Sequence, residues 1–163
     1  MRTIASVVAA GAIVLGLTSA GTAQDKHVLA TPAQAQWGPA PPMLPPGAQI
    51  AVLSGDPTKA QPYSVRLKMP ANYAVPAHSH PTDENVVIVT GALTLGMGDE
   101  LRKGIASNTT LRSGGYALMP ANMNHFAYTT GAETTIILYG TGPVEFKYVK
   151  ASDDPRNAKK GSE

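Results

Sequence analysis

At 163 residues the chain has room for one domain after any processing. Its 43% hydrophobic content supports a packed core, and 15% charged residues exclude a disordered acidic or basic chain. A formal net charge of +2, without a basic cluster in the body of the chain, gives no reason to expect nucleic acid as a partner, and the absence of cysteine removes both disulfides and thiolate ligands.

The N-terminus reads as an address. Arg2 gives a positive start, Ile4–Leu17 is an apolar run of 14 residues, and Gly21-Thr22-Ala23 resembles a signal-peptidase site. Residues 1–23 are therefore expected to be a cleaved signal peptide that sends the protein to the periplasm or outside the cell. A bilayer core needs about 20 apolar residues, which weighs against the alternative of an uncleaved anchor. No membrane contact is expected after cleavage.

Residues 24–47 form a Pro-rich leader, with Trp37-Gly38-Pro39-Ala40-Pro41-Pro42 and then Pro45-Pro46-Gly47. Proline fixes φ and removes backbone donors, so this stretch is neither a helix nor a central strand and is expected to lie extended over the domain. Trp37 is expected to anchor it on an apolar patch, with ligand stacking as the sharper alternative.

Residues 48–149 are expected to form one β-domain. Gln49–Leu53 can form a first strand, and Gly55-Asp56-Pro57 marks a turn. Tyr63–Met69 alternates, with Val65, Leu67 and Met69 on one face, and Pro70 ends it. Asn85–Thr90 carries a β-branched run stopped by Gly91, and Ala92–Met97 follows. Gly114-Gly115 precedes a strand at Tyr116–Met119. His125–Thr129, Thr134–Tyr139 and Val144–Val149 complete the series. Short strands divided by Gly or Pro turns, with 16 Gly and 14 Pro in the chain, point to an all-β fold, a small antiparallel barrel or jelly roll. Residues 150–163 read as a flexible charged tail.

Three of the four histidines fall in two compact places. On an extended chain His78 and His80, two apart, face one space, and Glu84 follows at another even offset. His125 starts a later strand that a barrel can bring opposite. His27, in the leader, reads as a solvated residue. Three imidazoles and a carboxylate are costly to bury without a shared partner, and a divalent transition metal (Mn, Fe, Zn, Cu or Ni) removes that cost. Four protein ligands would leave positions for water, dioxygen or a substrate oxygen. His-x-His alone does not separate a ligand pair from a solvated one.

The wider spacing is more specific. His78-Ser79-His80, three residues, Glu84, six residues and Gly91 resembles the first motif of the cupin superfamily. Gly114, five residues, Pro120-Ala121-Asn122, two residues, His125, three residues and Thr129 resembles the second. The likeness spans residues 48–149 and implies that His78, His80, Glu84 and His125 are metal ligands. Asn72 and Asn122 stand where the family has turn glycines, and Asn is the side chain that best tolerates a left-handed backbone. Thr129 replaces a closing Asn. The resemblance also implies a homodimer, with the leader and Trp37 able to cross to the neighbour.

Other residues near the motifs read less sharply. Asp83 should point away from Glu84. Arg66 is expected at the surface. Tyr73, Phe126 and Tyr128 are expected to pack. Met69 reads as core, Met119 and Met123 are candidates for a soft lining, and Asn124 for orienting a water. The chain is thus expected to be an exported metal-binding cupin. One reading is a metal-dependent enzyme (oxygenase-like, decarboxylase or isomerase) acting on a small oxygenated molecule. The other is a non-catalytic ligand- or metal-binding module, which the lack of an obvious pocket acid or base would fit.

Overall fold

Tyr63, Val65, Leu67 and Met69 are buried, while Ser64, Arg66 and Lys68 between them are half-buried, so the alternation of this stretch becomes the inner and outer faces of a strand. That strand is β3 (Pro62–Met69) in a computed structural model that describes residues 28–158. The expected signal peptide, His27 and residues 159–163 lie outside the described residues. Burying Val65, Leu67 and Met69 contributes roughly 1.5–3 kcal/mol each before the cost of ordering the chain.

The other strands are β1 (Gly38–Pro39), β2 (Gln49–Ser54), β4 (Ala74–Ser79), β5 (Glu84–Thr90), β6 (Ala92–Met97) and β7 (Thr109–Arg112). They continue with β8 (Tyr116–Met119), β9 (His125–Thr129), β10 (Thr134–Thr141) and β11 (Lys147–Tyr148). One sheet runs β1-β2-β3-β10-β5-β8 and the other β11-β4-β9-β6-β7, and every pairing is antiparallel. The two inner faces meet over Leu67, Val86, Ile88, Leu93, Leu95 and Ile136. The fold is therefore the all-β jelly-roll barrel expected from the sequence. Among the described residues no helix is long and apolar enough to cross a membrane.

Turn chemistry holds the register. Gly91, between β5 and β6, has φ 78°, and a Cβ there would sit 2.5 Å from the Glu133 carbonyl oxygen. Only glycine meets both demands. Asn72 and Asn122 adopt φ 58° and 61°, as their place in the two motif turns requires.

Three expectations change. The strand expected over Val144–Val149 shrinks to β11, and the residues before it run irregularly along the barrel wall. β7 is not anticipated, because Leu111 is its only apolar residue and no alternation marks it. Residues 150–158 are not a frayed end: a 3-10 turn forms at Ala151–Asp153, and Arg156 Nη2 donates to the Phe146 carbonyl at 2.9 Å.

The leader lies against its own barrel. β1 pairs with β2 as an edge strand, where Pro39 needs no donor on its outer side. Leu44 and Ala48 enter the core, and the hydroxyls of Tyr73 and Tyr148 donate to the Pro45 and Met43 carbonyls. Trp37 is half-buried, with Lys68 Nζ 4.4 Å from its ring centroid, so a cation on its aromatic face helps to hold it.

Candidate metal centre

Simple alternation along β4 would send His78 outward. Val75 is buried on the inner face, where it joins the core and lines the cavity, so on strict alternation residue 78 belongs to the other one. The pairing with β9 alters this parity. Val75 sits opposite Ala127 and His78 opposite His125, three steps on β4 against two on β9. This bulge turns His78 into the barrel, and Pro76 within it has no N–H to waste. The bulge also supplies a partner, since the Pro76 carbonyl accepts from His78 Nδ1 at 2.6 Å.

His80 follows the end of β4 and is clamped by the second motif. Its carbonyl accepts the Asn122 N–H at 2.7 Å, and the neighbouring Asp83 carboxylate accepts the Ala121 N–H at 2.8 Å. Asp83 is exposed, as expected, yet it ties the two motif turns together. The ring of His80 gives Nδ1 to the Glu145 carbonyl at 2.8 Å, and His125 gives its Nδ1 to the Met123 carbonyl at 3.0 Å.

A carbonyl can only accept, so each Nδ1 carries the proton and each Nε2 keeps a lone pair. The three rings converge, with centroids 4.4 to 5.2 Å apart, and offer ligand atoms within 4.8 Å of one another. His80 Nε2 is buried with no hydrogen-bond partner. An orphaned buried nitrogen is costly in a protein interior, and a cation is the partner that three lone pairs aimed together can share. The residues fit a metal: His78, His80 and His125 form a group that can hold one.

Glu84 opens β5 on the inner face with Val86 and Ile88. Its exposure is 8%, and its Oε2 lies 3.6 Å from His80 Nε2. It stands beside the compact triad rather than within it. Burial pushes its carboxyl up to about 7 against the opposing pull of His125. Burial likewise holds all three imidazoles below the ordinary histidine range, and for His78 the His125 and His80 rings add to it. The set is thus arranged as neutral bases in a dry place, the protonation state that metal ligation by imidazole requires.

The surrounding wall is apolar. Phe146 stacks on His78, centroids 4.5 Å apart and planes 17° apart, and meets His80 edge-on at 4.5 Å. A cavity of about 40 Å³ touches His78, Glu84 and His125, with Met69, Leu95 and Ala127 among its walls. A second, of about 100 Å³, adjoins it and shares Leu44, Leu67, Glu84, Leu138 and Phe146. Tyr63 lines this second space.

Residues 25–145 match the family described as the ChrR cupin-like domain. The chain belongs to this cupin family. Among solved structures, the cupin resembles the polyketide cyclase RemF from Streptomyces resistomycificus, with 16% identity over 71% of this chain and 80% of that one, at a TM-score of 0.55. It also resembles KdgF from a Halomonas species, with 17% identity over 69% and 91%, and a TM-score of 0.52. The DMSP lyase DddQ from Ruegeria pomeroyi shares 19% identity over 72% and 68%, with a TM-score of 0.52. At such identities the likeness is one of fold. A comparison with curated proteins gives no match.

The remaining sequence candidates sort by face. Phe126 and Tyr128 are buried, but on the outer face of the second sheet, where the Gly104 N–H and Asn108 Nδ2 donate to the Tyr128 hydroxyl. Thr129 does more than fill a place: its hydroxyl donates to the Pro70 carbonyl at 2.6 Å and accepts the Tyr73 N–H at 2.9 Å. Met69 lines the first cavity, Met119 is core and Met123 is exposed. Asn124 donates to Asp99 rather than facing the cavity. Arg66 is half-buried on the outer face of β3. Sequence reasoning missed Phe146, the Glu145 carbonyl and Tyr63. Parity along β3 marks Tyr63 as inward, whereas nothing periodic marks residues 145 and 146.

Proposed function

We propose that His78, His80, Glu84 and His125 hold one divalent transition metal, and that this cupin is an exported metal-dependent enzyme acting on a small oxygenated molecule. The observation that carries the reading is the triad itself: three buried imidazoles with Nδ1 committed to carbonyls and Nε2 left open. When bound, the ion supplies Lewis acidity or a site for oxygenase-like redox chemistry. The chain's own residues do the rest. Carbonyls of Pro76, Glu145 and Met123 orient the rings, the apolar walls exclude water, and Glu84 would complete the ligand set beside His80 as a carboxylate. The adjoining cavity gives a molecule somewhere to sit, which a purely structural metal does not need. Fold neighbours named as a polyketide cyclase and a DMSP lyase are in keeping with small-molecule chemistry on this barrel.

Export follows from the N-terminal pattern alone, and N-terminal sequencing of the secreted or periplasmic protein tests it, with Gln24 expected first. A homodimer remains the family-based expectation for assembly, and sedimentation of the mature protein tests it.

Elemental analysis of protein purified from its native compartment tests the metal, with one equivalent of a single transition metal expected. His78→Ala and His125→Ala should each lose most of that metal and melt at lower temperature, because binding stabilises only the folded form. Wild-type metal content in both variants would refute the ligand assignment. Turnover that persists after complete metal removal would refute metal dependence, and a metal-loaded protein that binds its ligand without turning it over would leave the alternative, a non-catalytic ligand-binding module.

A further inference from the structure

The two adjoining cavities carry information about what they accept. Neither lining holds a lysine or an arginine, so nothing there compensates a free carboxylate or phosphate. The polar lining residues are few: His78, Glu84 and His125 in the first space, and Thr58, Tyr63 and Glu84 in the second. The rest is apolar, with Ile50, Val65, Leu138, Val144 and Phe146 among the walls.

Tyr63 is 7% exposed. Four of the five other tyrosine hydroxyls are bonded to the protein, Tyr73 to Pro45, Tyr148 to Met43, Tyr116 to Asn85, and Tyr128 to Gly104 and Asn108, while the fifth tyrosine, Tyr139, is 39% exposed. Tyr63 is held by no such bond among the described residues, and it shares its cavity with Glu84. Tyr63 lines the cavity with a hydroxyl that no protein group engages, so that hydroxyl is available to bond a ligand there. Together these two residues offer a donor and an acceptor to a largely apolar space.

We infer that the barrel takes a neutral, largely apolar alcohol or phenol whose hydroxyl lies between Tyr63 and Glu84. The ligand oxygen accepts from the Tyr63 hydroxyl and donates toward the Glu84 carboxyl. Its carbon skeleton fills the second cavity against Val65, Leu138 and Val144. An anion of the same skeleton would lose its hydration with no cation from the chain to replace it. Tyr63 is then a specificity residue for the site proposed above. The inference rests on that reading only for the place where the ligand's reactive end lies.

A matched set of probes tests it: 2-naphthol, 2-naphthoate and naphthalene, titrated by calorimetry into the full mature chain, both metal-loaded and chelator-stripped. The expected result is that 2-naphthol binds both forms and binds the stripped form at least about tenfold more tightly than 2-naphthoate. Tyr63→Phe should weaken 2-naphthol about three- to tenfold and leave naphthalene unchanged, as loss of one hydrogen bond predicts. Val144→Trp, at a half-buried loop position, should abolish binding of 2-naphthol and naphthalene by filling the space. Equal or tighter binding of 2-naphthoate to the stripped protein would overturn the inference. So would no binding of 2-naphthol, equal losses of 2-naphthol and naphthalene in Tyr63→Phe, or unchanged binding in Val144→Trp. Metal content measured on the same samples keeps the two readings apart: a protein that is purified without metal and takes none up on loading, yet still selects 2-naphthol, sinks the metal site alone.

Discussion

Replacing Glu84 by Gln isolates the carboxyl that stands beside the triad, and it should act in opposite directions with and without metal. In metal-free protein the Glu84 carboxyl is raised from 4.5 to about 7 by burial. The folded state therefore binds the proton more tightly than the unfolded state. Its contribution to stability is fully present below about 4.5 and is lost as pH rises through about 7. Each tenfold difference in proton affinity between the two states is worth about 1.4 kcal/mol, so the wild type should lose roughly 2–3 kcal/mol between pH 5 and pH 8 that Glu84→Gln does not lose. The three imidazoles work the other way, since burial lowers them and their stabilisation disappears as pH falls below about 6.5. Both proteins carry them, so their effect cancels to first order in the difference between variant and wild type. Urea unfolding of chelator-stripped protein at the two pH values measures that difference. With saturating metal the order should reverse, because the wild type keeps its anionic ligand while Glu84→Gln binds the ion more than about tenfold more weakly. Parallel pH dependence of the two stripped proteins would refute the buried-carboxyl argument. Equal metal affinity would remove Glu84 from the ligand set.

Two further substitutions separate the wall from the scaffold. Phe146→Ala removes the ring stacked on His78 and set edge-on to His80. It should cost about 3–5 kcal/mol in urea unfolding and weaken metal binding by about tenfold in a competitive chelator titration, as the two imidazoles gain freedom and water. Gly91→Ala places a Cβ 2.5 Å from the Glu133 carbonyl oxygen at φ 78°. Thermal melting of the stripped protein should register a loss of more than about 1 kcal/mol, while metal stoichiometry stays at the wild-type value.

Much of this centre is legible from residue order, and the parts that are not share a cause. Glu84 can be placed because its offsets to Val86 and Ile88 are even and those residues face the core. Tyr63 follows from the same parity along β3, though alternation does not say that its hydroxyl stays uncommitted. β11 and the wall before it escape any periodic reading, because a carbonyl at Glu145 and a ring at Phe146 do their work from irregular backbone. His78 is the instructive residue. The even spacing of His78 and His80 correctly puts both rings in one space, but strict alternation from the inward Val75 implies that this space is outside the barrel. Two parities conflict within one strand, and a single extra residue in the pairing with β9 reconciles them. The conflict is itself readable: an inward residue at 75 followed by inward ligands at 78 and 80 requires a bulge between 75 and 78. Pro76, which cannot donate to a ladder, sits in the bulge and gives its carbonyl to the ring that the bulge turns inward.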